Sequence, residues 1–176
     1  MTKDTTMAHS TIHPFPRAVR GRPQPEHQWL ALAGWLVLCQ IVGIVAALGT
    51  DTSTAWYVTL EKPAWNPPSW VFAPMWTLLY VLMAVAAWLV WRTGRGGTAL
   101  VLFLGQLALN FAWSFVFFDA QSIGWALVDI TALWIAIAAT IVAFWRVEPT
   151  AAWIMLSYLG WVTFAATLNA ALFTLN

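Results

Sequence analysis

Charged residues are scarce in this sequence. Asp, Glu, Lys and Arg together make up 9% of its 176 residues, whereas a soluble domain carries about 25%. Hydrophobic residues make up 61% of the chain. This composition excludes an ordinary soluble domain and indicates a membrane protein.

The sequence also lacks the polar-apolar alternation of a transmembrane β-barrel, whose strands run for about ten residues. The segment VLMAVAAWLVW, for example, does not alternate. A helix needs about 20 mostly apolar residues to cross the bilayer core. Five stretches qualify, at about residues 29–48, 70–91, 98–118, 122–145 and 151–175. The sequence therefore predicts an all-α membrane protein, with one five-helix transmembrane domain over residues 29–176.

Cysteine and histidine are nearly missing from the predicted bundle. The single cysteine, Cys39, lies in the first span, so no internal disulfide can form. The three histidines, His9, His13 and His27, all precede the first span; a metal-binding role is their less favoured interpretation. The chain has no glycine-rich phosphate loop and no metal-binding Cys/His spacing. We therefore predict no metal site, no required cofactor and no nucleic-acid partner.

Residues 1–28 are polar and contain four prolines, which predicts a disordered tail. The apolar stretch that follows is longer than the 7–15 residues typical of a signal peptide. Five spans place the tail and two connections on one face of the membrane. That face holds seven of the eight basic residues: Lys3, Arg17, Arg20, Arg22, Arg92, Arg95 and Arg146. Since only Lys62 lies on the other face, the positive-inside rule predicts a cytoplasmic N-terminus and an outward C-terminus.

Tryptophan is unusually frequent, with 14 residues. Those near span ends suit the membrane interface. Five lie deeper: Trp76, Trp88, Trp113, Trp134 and Trp161. A buried indole N–H needs an acceptor, which lipid does not supply, so we expect these side chains to face the bundle or a cavity. Simple packing is the alternative for any one of them.

The third span has two contrasting faces. At 100° per residue, one face is polar and aromatic and carries Gln106, Asn110, Trp113 and Phe117. A stripe of small residues lies roughly 150° away by the same geometry and consists of Gly105, Ala108 and Ala112. Small residues at this spacing let helices approach closely. We therefore predict a cavity face and a packing face.

Asp129 is the only acidic residue well inside a predicted span. A charge at a helix centre costs about 2.5–3.5 kcal/mol on insertion scales, and Asp129 lies off centre. No span interior contains Lys, Arg or His, so we expect a protonated carboxyl or one held by neutral donors. The candidate donors are Asn110, Gln106, Tyr80 and an indole. An interhelical hydrogen bond and a ligand-binding role both remain open.

Three motifs together resemble a known family. They are WYVTLEKPAWNPPSWVFAPMWTLLY at residues 56–80, LALNFAWSFVFF at residues 107–118 and YLGWVTFAATLN at residues 158–169. Their order and the number of spans resemble the tryptophan-rich sensory proteins. These are the bacterial relatives of the mitochondrial translocator protein, or peripheral benzodiazepine receptor. The resemblance covers about residues 29–176 and leaves the tail out.

The resemblance implies a five-helix bundle, often dimeric, that binds porphyrins and other flat hydrophobic ligands beneath its first loop. Lipids are a further candidate partner. The family's pocket residues correspond to Trp76, Asn110, Trp113 and Trp161, and Asp129 stands at a family acidic position. The predicted ligand-binding residues are therefore Trp76, Tyr80, Asn110, Trp113, Phe117, Asp129, Trp161 and Phe164. The resemblance also implies a homodimer through Gly105, Ala108 and Ala112, in a bacterial inner membrane, with the outer membrane as the alternative.

The chain departs from the family pattern in its fifth span. Ser157 precedes Tyr158 where family members often have proline, so the helix keeps a hydrogen bond that proline would remove. No basic residue follows Tyr158, as the mammalian sterol motif requires. That motif is weak in any case, and we give sterol binding little weight.

The loop over residues 49–69 is rigid and aromatic. Its three prolines fix φ and remove backbone donors, so the loop can cover an apolar cavity without stranding N–H groups. The predicted lid residues are Trp56, Lys62, Pro63, Trp65, Pro67, Pro68 and Trp70. A stiff interfacial anchor for the second span is the alternative.

Three functions compete at this stage. The first is a sensor or transporter that binds tetrapyrroles, and the second is light- and oxygen-dependent porphyrin degradation with Trp76 and Trp161 as electron donors. The third is a structural membrane protein whose aromatic face is only core. The predicted bundle lacks a catalytic triad and a histidine base, which weakens conventional enzyme chemistry. We favour the first.

Overall fold

The computed structural model describes residues 25–176, and every regular element in this range is helical. Five helices are long and apolar enough to cross a membrane. They are α1 (Pro25–Leu48), α3 (Phe72–Trp91), α4 (Gly97–Ser114), α5 (Ile123–Trp145) and α6 (Pro149–Leu175). A short helix, α2 (Ala55–Thr59), lies in the loop between α1 and α3. The predicted five-helix membrane fold is confirmed.

The helix ends differ slightly from the sequence prediction. Helix α1 begins at Pro25, so the last four residues of the predicted tail are helical. Residues 1–24 lie outside the described range, and the predicted disorder of the tail stays a prediction there. A 3₁₀ turn (Ser69–Val71) precedes α3, and a π-helical segment (Phe115–Asp119) extends α4. Helix α6 is continuous, as expected without a proline near Tyr158.

The long helices close into a ring. Helix α1 packs against α3 and α4, α3 packs against α6, α6 against α5, and α5 against α4. The ring order is therefore α1, α3, α6, α5, α4. This order brings the ends of α1, α4 and α6 together with the starts of α3 and α5, beneath the 49–69 loop.

The far end of the bundle, away from this loop, is tightly packed. Phe103 of α4 stacks on Phe144 of α5 with ring centroids 6.0 Å apart. Small residues of α3 allow close approach in the same core, and Ala84, Ala86 and Ala87 are fully buried there. The aromatic cavity described below lies in the other half, beneath the loop.

Candidate ligand-binding cavity

A cavity of about 370 Å³ occupies the half of the bundle beneath the 49–69 loop. All five long helices line it, together with Thr50, Thr52, Tyr57 and Ser69 of the loop. Its volume falls within the range of about 300–1,000 Å³ that is usual for small-molecule sites. It is the natural candidate site.

Six of the eight predicted ligand-binding residues line this cavity: Trp76, Tyr80, Asn110, Trp113, Phe117 and Trp161. Trp76 has three aromatic neighbours. Its ring centroid lies 5.8 Å from Tyr80, 6.3 Å from Tyr158 and 6.4 Å from Trp161. Both the Tyr158 and Trp161 rings meet it edge to face, an arrangement that aromatic quadrupoles favour. The structure therefore brings aromatic residues of two helices, α3 and α6, to one wall.

Two hydrogen bonds join polar side chains at the cavity. The Tyr80 hydroxyl donates to Asn110 Oδ1 at 2.5 Å. The Trp113 indole Nε1 donates to Asn169 Oδ1 at 3.2 Å, and Asn169 Nδ2 donates to the carbonyl of Ile123 at 3.2 Å. We did not select Asn169 from the sequence. An amide side chain inside an apolar span is the sequence feature that could have identified Asn169. The same feature identified Asn110.

Two polar atoms near the Trp76 wall have no partner among the described residues. The Tyr158 hydroxyl and the Trp161 indole nitrogen are both shielded from solvent and make no hydrogen bond there. An unsatisfied buried donor is costly, at about 1–3 kcal/mol. Of the two, only Trp161 lines the cavity, so its indole N–H is the donor that an acceptor group of a ligand could reach.

Two predicted ligand-binding residues lie elsewhere. Asp129 lines a separate groove on the outer surface, and none of the expected donors bonds it. The α5 residues that line the cavity are Ile130 and Leu133 instead, because Asp129 projects from α5 in another direction. Phe164 lies beside the cavity and packs on Trp161 and Trp65. Neither residue is part of the cavity lining, and a ligand-binding role for each stays a prediction.

Gln106 and Trp134 also differ from expectation, whereas Trp88 packs against the core of the bundle, as expected. Gln106 shares the face of Asn110 but lies deeper, where its amide contacts Met83 Sδ at 4.0 Å and does not line the cavity. Trp134 is 38% exposed and donates to Thr163 Oγ1 at 2.9 Å. Trp88 lies near the other end of the bundle and donates to the Gln28 carbonyl at 2.8 Å. Each indole N–H has an acceptor, but neither ring faces the cavity.

The 49–69 loop covers the cavity through residues that the sequence did not single out. Tyr57 of α2 lines the cavity, whereas Pro63, Pro67, Pro68, Trp65 and Trp70 do not. Trp56 of α2 instead packs edge to face on Phe117 at 5.6 Å. The Trp70 side chain is 75% exposed, which fits the interfacial-anchor alternative. The covering element is thus the helix α2, and not the proline-rich stretch.

Lys62 is hydrogen-bonded to the C-terminal end of α2. Its Nζ donates to the carbonyls of Tyr57 at 2.6 Å and Leu60 at 3.2 Å, and it lies 4.5 Å from the Tyr57 ring centroid. Burial raises the pKa of Tyr57 above its ordinary value. Tyr57 is therefore a neutral, cation-backed aromatic surface over the cavity.

The exposed residues of the cavity wall lie mainly on two helices. They are Ile44 and Ala47 of α1 and Ala73 and Thr77 of α3. The exposed part of the cavity wall is therefore on the α1 and α3 side, where Gln40 Nε2 donates to the Thr77 carbonyl at 3.3 Å. Among the described residues, no group of three or more His, Cys, Asp or Glu could hold a metal ion. The chemistry available is stacking, hydrogen bonding and apolar contact.

Sequence comparisons agree with the motifs. The sequence profile of the TspO/MBR family matches residues 35–175. A "Tryptophan-rich protein TspO" of Chlorobaculum tepidum is 43% identical over 154 residues, covering 85% of this chain and 98% of the relative. The human "Translocator protein" is 46% identical over 119 residues, covering 65% and 70%. The "Tryptophan-rich sensory protein" of Cereibacter sphaeroides is 37% identical over 148 residues, covering 84% and 92%.

Proposed function

The chain belongs to the TspO/MBR family, and we propose that it is a membrane receptor that takes porphyrins and other flat hydrophobic molecules into the aromatic cavity. Protoporphyrin is the ligand used in the tests below. The names of the relatives refer to translocation and to sensing. Both roles are compatible with binding. The proposal concerns binding, which both roles require.

The observation that carries the proposal is the convergence of aromatic rings with a hydrogen-bonded amide in one cavity. Trp76, Trp113 and Trp161 come from three different helices and line the same space. Flat ring systems pack well against such surfaces, and aromatic pairs contribute about 0.5–1.5 kcal/mol beyond area burial. Asn110 adds an amide, which offers both donors and an acceptor.

We further propose that the cavity lies in the outward half of the membrane. Among the described residues, Arg92, Arg95 and Arg146 follow the ends of α3 and α5 at the far end of the bundle, whereas Lys62 lies in the loop over the cavity. Positive residues favour the cytoplasmic side. Together with the basic residues before α1, this asymmetry supports a cytoplasmic N-terminus. A sideways opening between α1 and α3 would give hydrophobic ligands access from the lipid.

A titration with protoporphyrin tests the proposal. Tryptophan fluorescence of the purified protein should be quenched in a saturable way. Trp161→Phe should weaken the affinity, because it removes an indole from the cavity wall. Trp134→Phe is the matched control, since it also removes one indole but from the outer surface. Equal protoporphyrin affinities of Trp161→Phe, Trp134→Phe and the unaltered protein would mean that Trp161 only packs within the bundle.

Light- and oxygen-dependent porphyrin degradation by Trp76 and Trp161 gains no support from the relatives, whose names describe no such reaction. Illumination of the complex separates the two functions. If the protein is only a receptor, bound porphyrin should lose its absorption no faster than free porphyrin does. Faster loss that disappears in Trp161→Phe would favour degradation.

A further inference from the structure

A second recess lies on the outer surface of the bundle, between the π-helical segment and the first turns of α5. Its volume is about 480 Å³, and it shares no lining residue with the aromatic cavity. We call it the Asp129 groove, and its lining residues are Val116, Ala120, Ser122, Trp125, Val128, Asp129 and Ala132. It is wide open on the side that faces the lipid.

Asp129 gives this groove a chemistry that the surrounding lipid-facing surface lacks. Its Oδ2 atom is shielded from solvent and has no hydrogen-bond partner among residues 25–176. A carboxylate oxygen without a donor in an apolar setting is costly. Acidic residues within membrane spans are rare and mark functional sites by default. Oδ1 is not among the shielded atoms, so a donor in the groove could reach the carboxyl group through this second oxygen.

The described part of the chain offers no lysine or arginine to Asp129. The Nζ of Lys62 is bound to the Tyr57 and Leu60 carbonyls in the loop. The three described arginines follow the opposite ends of α3 and α5. The groove therefore combines an uncompensated acid with an apolar floor.

The walls indicate what kind of molecule could fill the groove. Trp125 and Val128 are 71% and 58% exposed and lie beside Asp129 on α5, a helix of membrane-spanning length. Such surfaces suit acyl chains. We propose that the Asp129 groove binds a diacyl lipid with a primary ammonium headgroup, of the phosphatidylethanolamine class, whose ammonium donates to the Asp129 carboxylate.

The depth of Asp129 is compatible with this lipid. Asp129 lies six residues after the start of α5 at Ile123, which is about 9 Å along the helix axis. The groove continues to Ser122 and Ala120 beyond the helix end, so a headgroup can descend along it. Hydrogen bonds between an ammonium and a carboxylate are shorter and roughly twice as strong as neutral ones. Phosphatidylcholine has the same phosphate and chains, but its nitrogen carries no N–H donor.

Native mass spectrometry of the full chain in detergent tests the proposal. The protein is mixed with equal amounts of phosphatidylethanolamine and phosphatidylcholine that have identical acyl chains. We expect a preference of about tenfold for phosphatidylethanolamine, from one charge-assisted hydrogen bond. Asp129→Asn should bring the two lipids close to parity. Ala132→Phe, which fills the groove without changing charge, should reduce retention of phosphatidylethanolamine as well.

Asp119→Asn is the matched control. Asp119 lies in the neighbouring π-helical segment, is exposed and does not line the groove, so its loss should leave the preference intact. An equal loss in Asp119→Asn would show diffuse attraction to surface charge and overturn the site. Three other results would also overturn it: no preference in the unaltered protein, an unchanged preference in Asp129→Asn, or unchanged phosphatidylethanolamine retention in Ala132→Phe. Equal retention of phosphatidylglycerol, which offers hydroxyl donors without a cation, would refute the ammonium assignment.

Discussion

The side chain of Asn176 is bonded to the backbone of Glu61, 115 residues earlier in the chain. Its Oδ1 accepts from the Glu61 N–H at 2.9 Å, and its Nδ2 donates to the Glu61 carbonyl at 3.1 Å. The same Nδ2 also donates to the Leu172 carbonyl at 3.0 Å. The end of α6 is thus fastened to the loop that covers the aromatic cavity.

Asn176→Ala should loosen this loop, because both hydrogen bonds to Glu61 disappear. Each such bond contributes about 0.5–1.5 kcal/mol. We expect faster hydrogen exchange at the Glu61 amide and faster protoporphyrin release, measured by hydrogen-exchange mass spectrometry and stopped-flow fluorescence. Thr174→Ala is the control, since Thr174 bonds only the Ala171 carbonyl within α6. Unchanged exchange at Glu61 in Asn176→Ala would show that other contacts hold the loop.

Gly43→Ala should disturb the cavity through Tyr80. A Cβ at position 43 would lie 2.5 Å from the Tyr80 ring, so the ring must move, and its bond to Asn110 is then lost or weakened. Overpacking of this kind costs about 1–3 kcal/mol. We expect a lower thermal midpoint and weaker protoporphyrin binding.

Gly34→Ala is the matched control on the same helix, because nothing lies within 4 Å of the added Cβ. It should be neutral or slightly stabilising, since alanine has the higher helix propensity. Similar midpoints and affinities for the two variants would mean that α1 shifts without moving Tyr80.

A homodimer through Gly105, Ala108 and Ala112 stays a prediction, and Gly105→Leu tests it. Gly105 and Ala108 are exposed, and no atom lies within 4 Å of a Cβ added at Gly105, so a leucine fits the monomer but blocks close approach of a second copy. We expect a shift toward monomer, measured by analytical ultracentrifugation in detergent. Gly160→Leu, at an equally open position of α6, should leave the oligomeric state unchanged. A dimer that survives Gly105→Leu would place the interface elsewhere.

Haem should gain no large advantage over metal-free protoporphyrin. Axial ligands to haem iron are usually His, Cys, Met or Tyr. No histidine follows His27, and Cys39, Met75, Met83 and Met155 do not line the cavity. Tyr57 and Tyr80 do line it, but Tyr80 donates its hydroxyl proton to Asn110. Burial raises the pKa of Tyr57, which disfavours the tyrosinate that would ligate iron. We expect similar affinities for the two porphyrins in parallel titrations. Much tighter haem binding with a sharp low-spin Soret spectrum would reveal an axial ligand.

The sequence alone determined the number of spans and identified six of the residues that line the candidate cavity. Hydropathy is a local property, so five apolar stretches define five helices whatever their packing. The face shared by Asn110, Trp113 and Phe117 also followed from one helix, because 100° per residue fixes which side chains point together.

Only the tertiary structure decided what meets across helices. The rotation of α5 about its axis is set by its neighbours, and it turns Ile130 into the cavity and Asp129 onto the outer surface. The covering role of Tyr57 depends on how α2 lies over the bundle. The bond between Asn176 and Glu61 joins two distant segments, and local patterns carry no information about such a contact. Helix rotation and long-range contacts result from the packing of the whole ring, whereas span formation needs only the hydrophobicity of each segment.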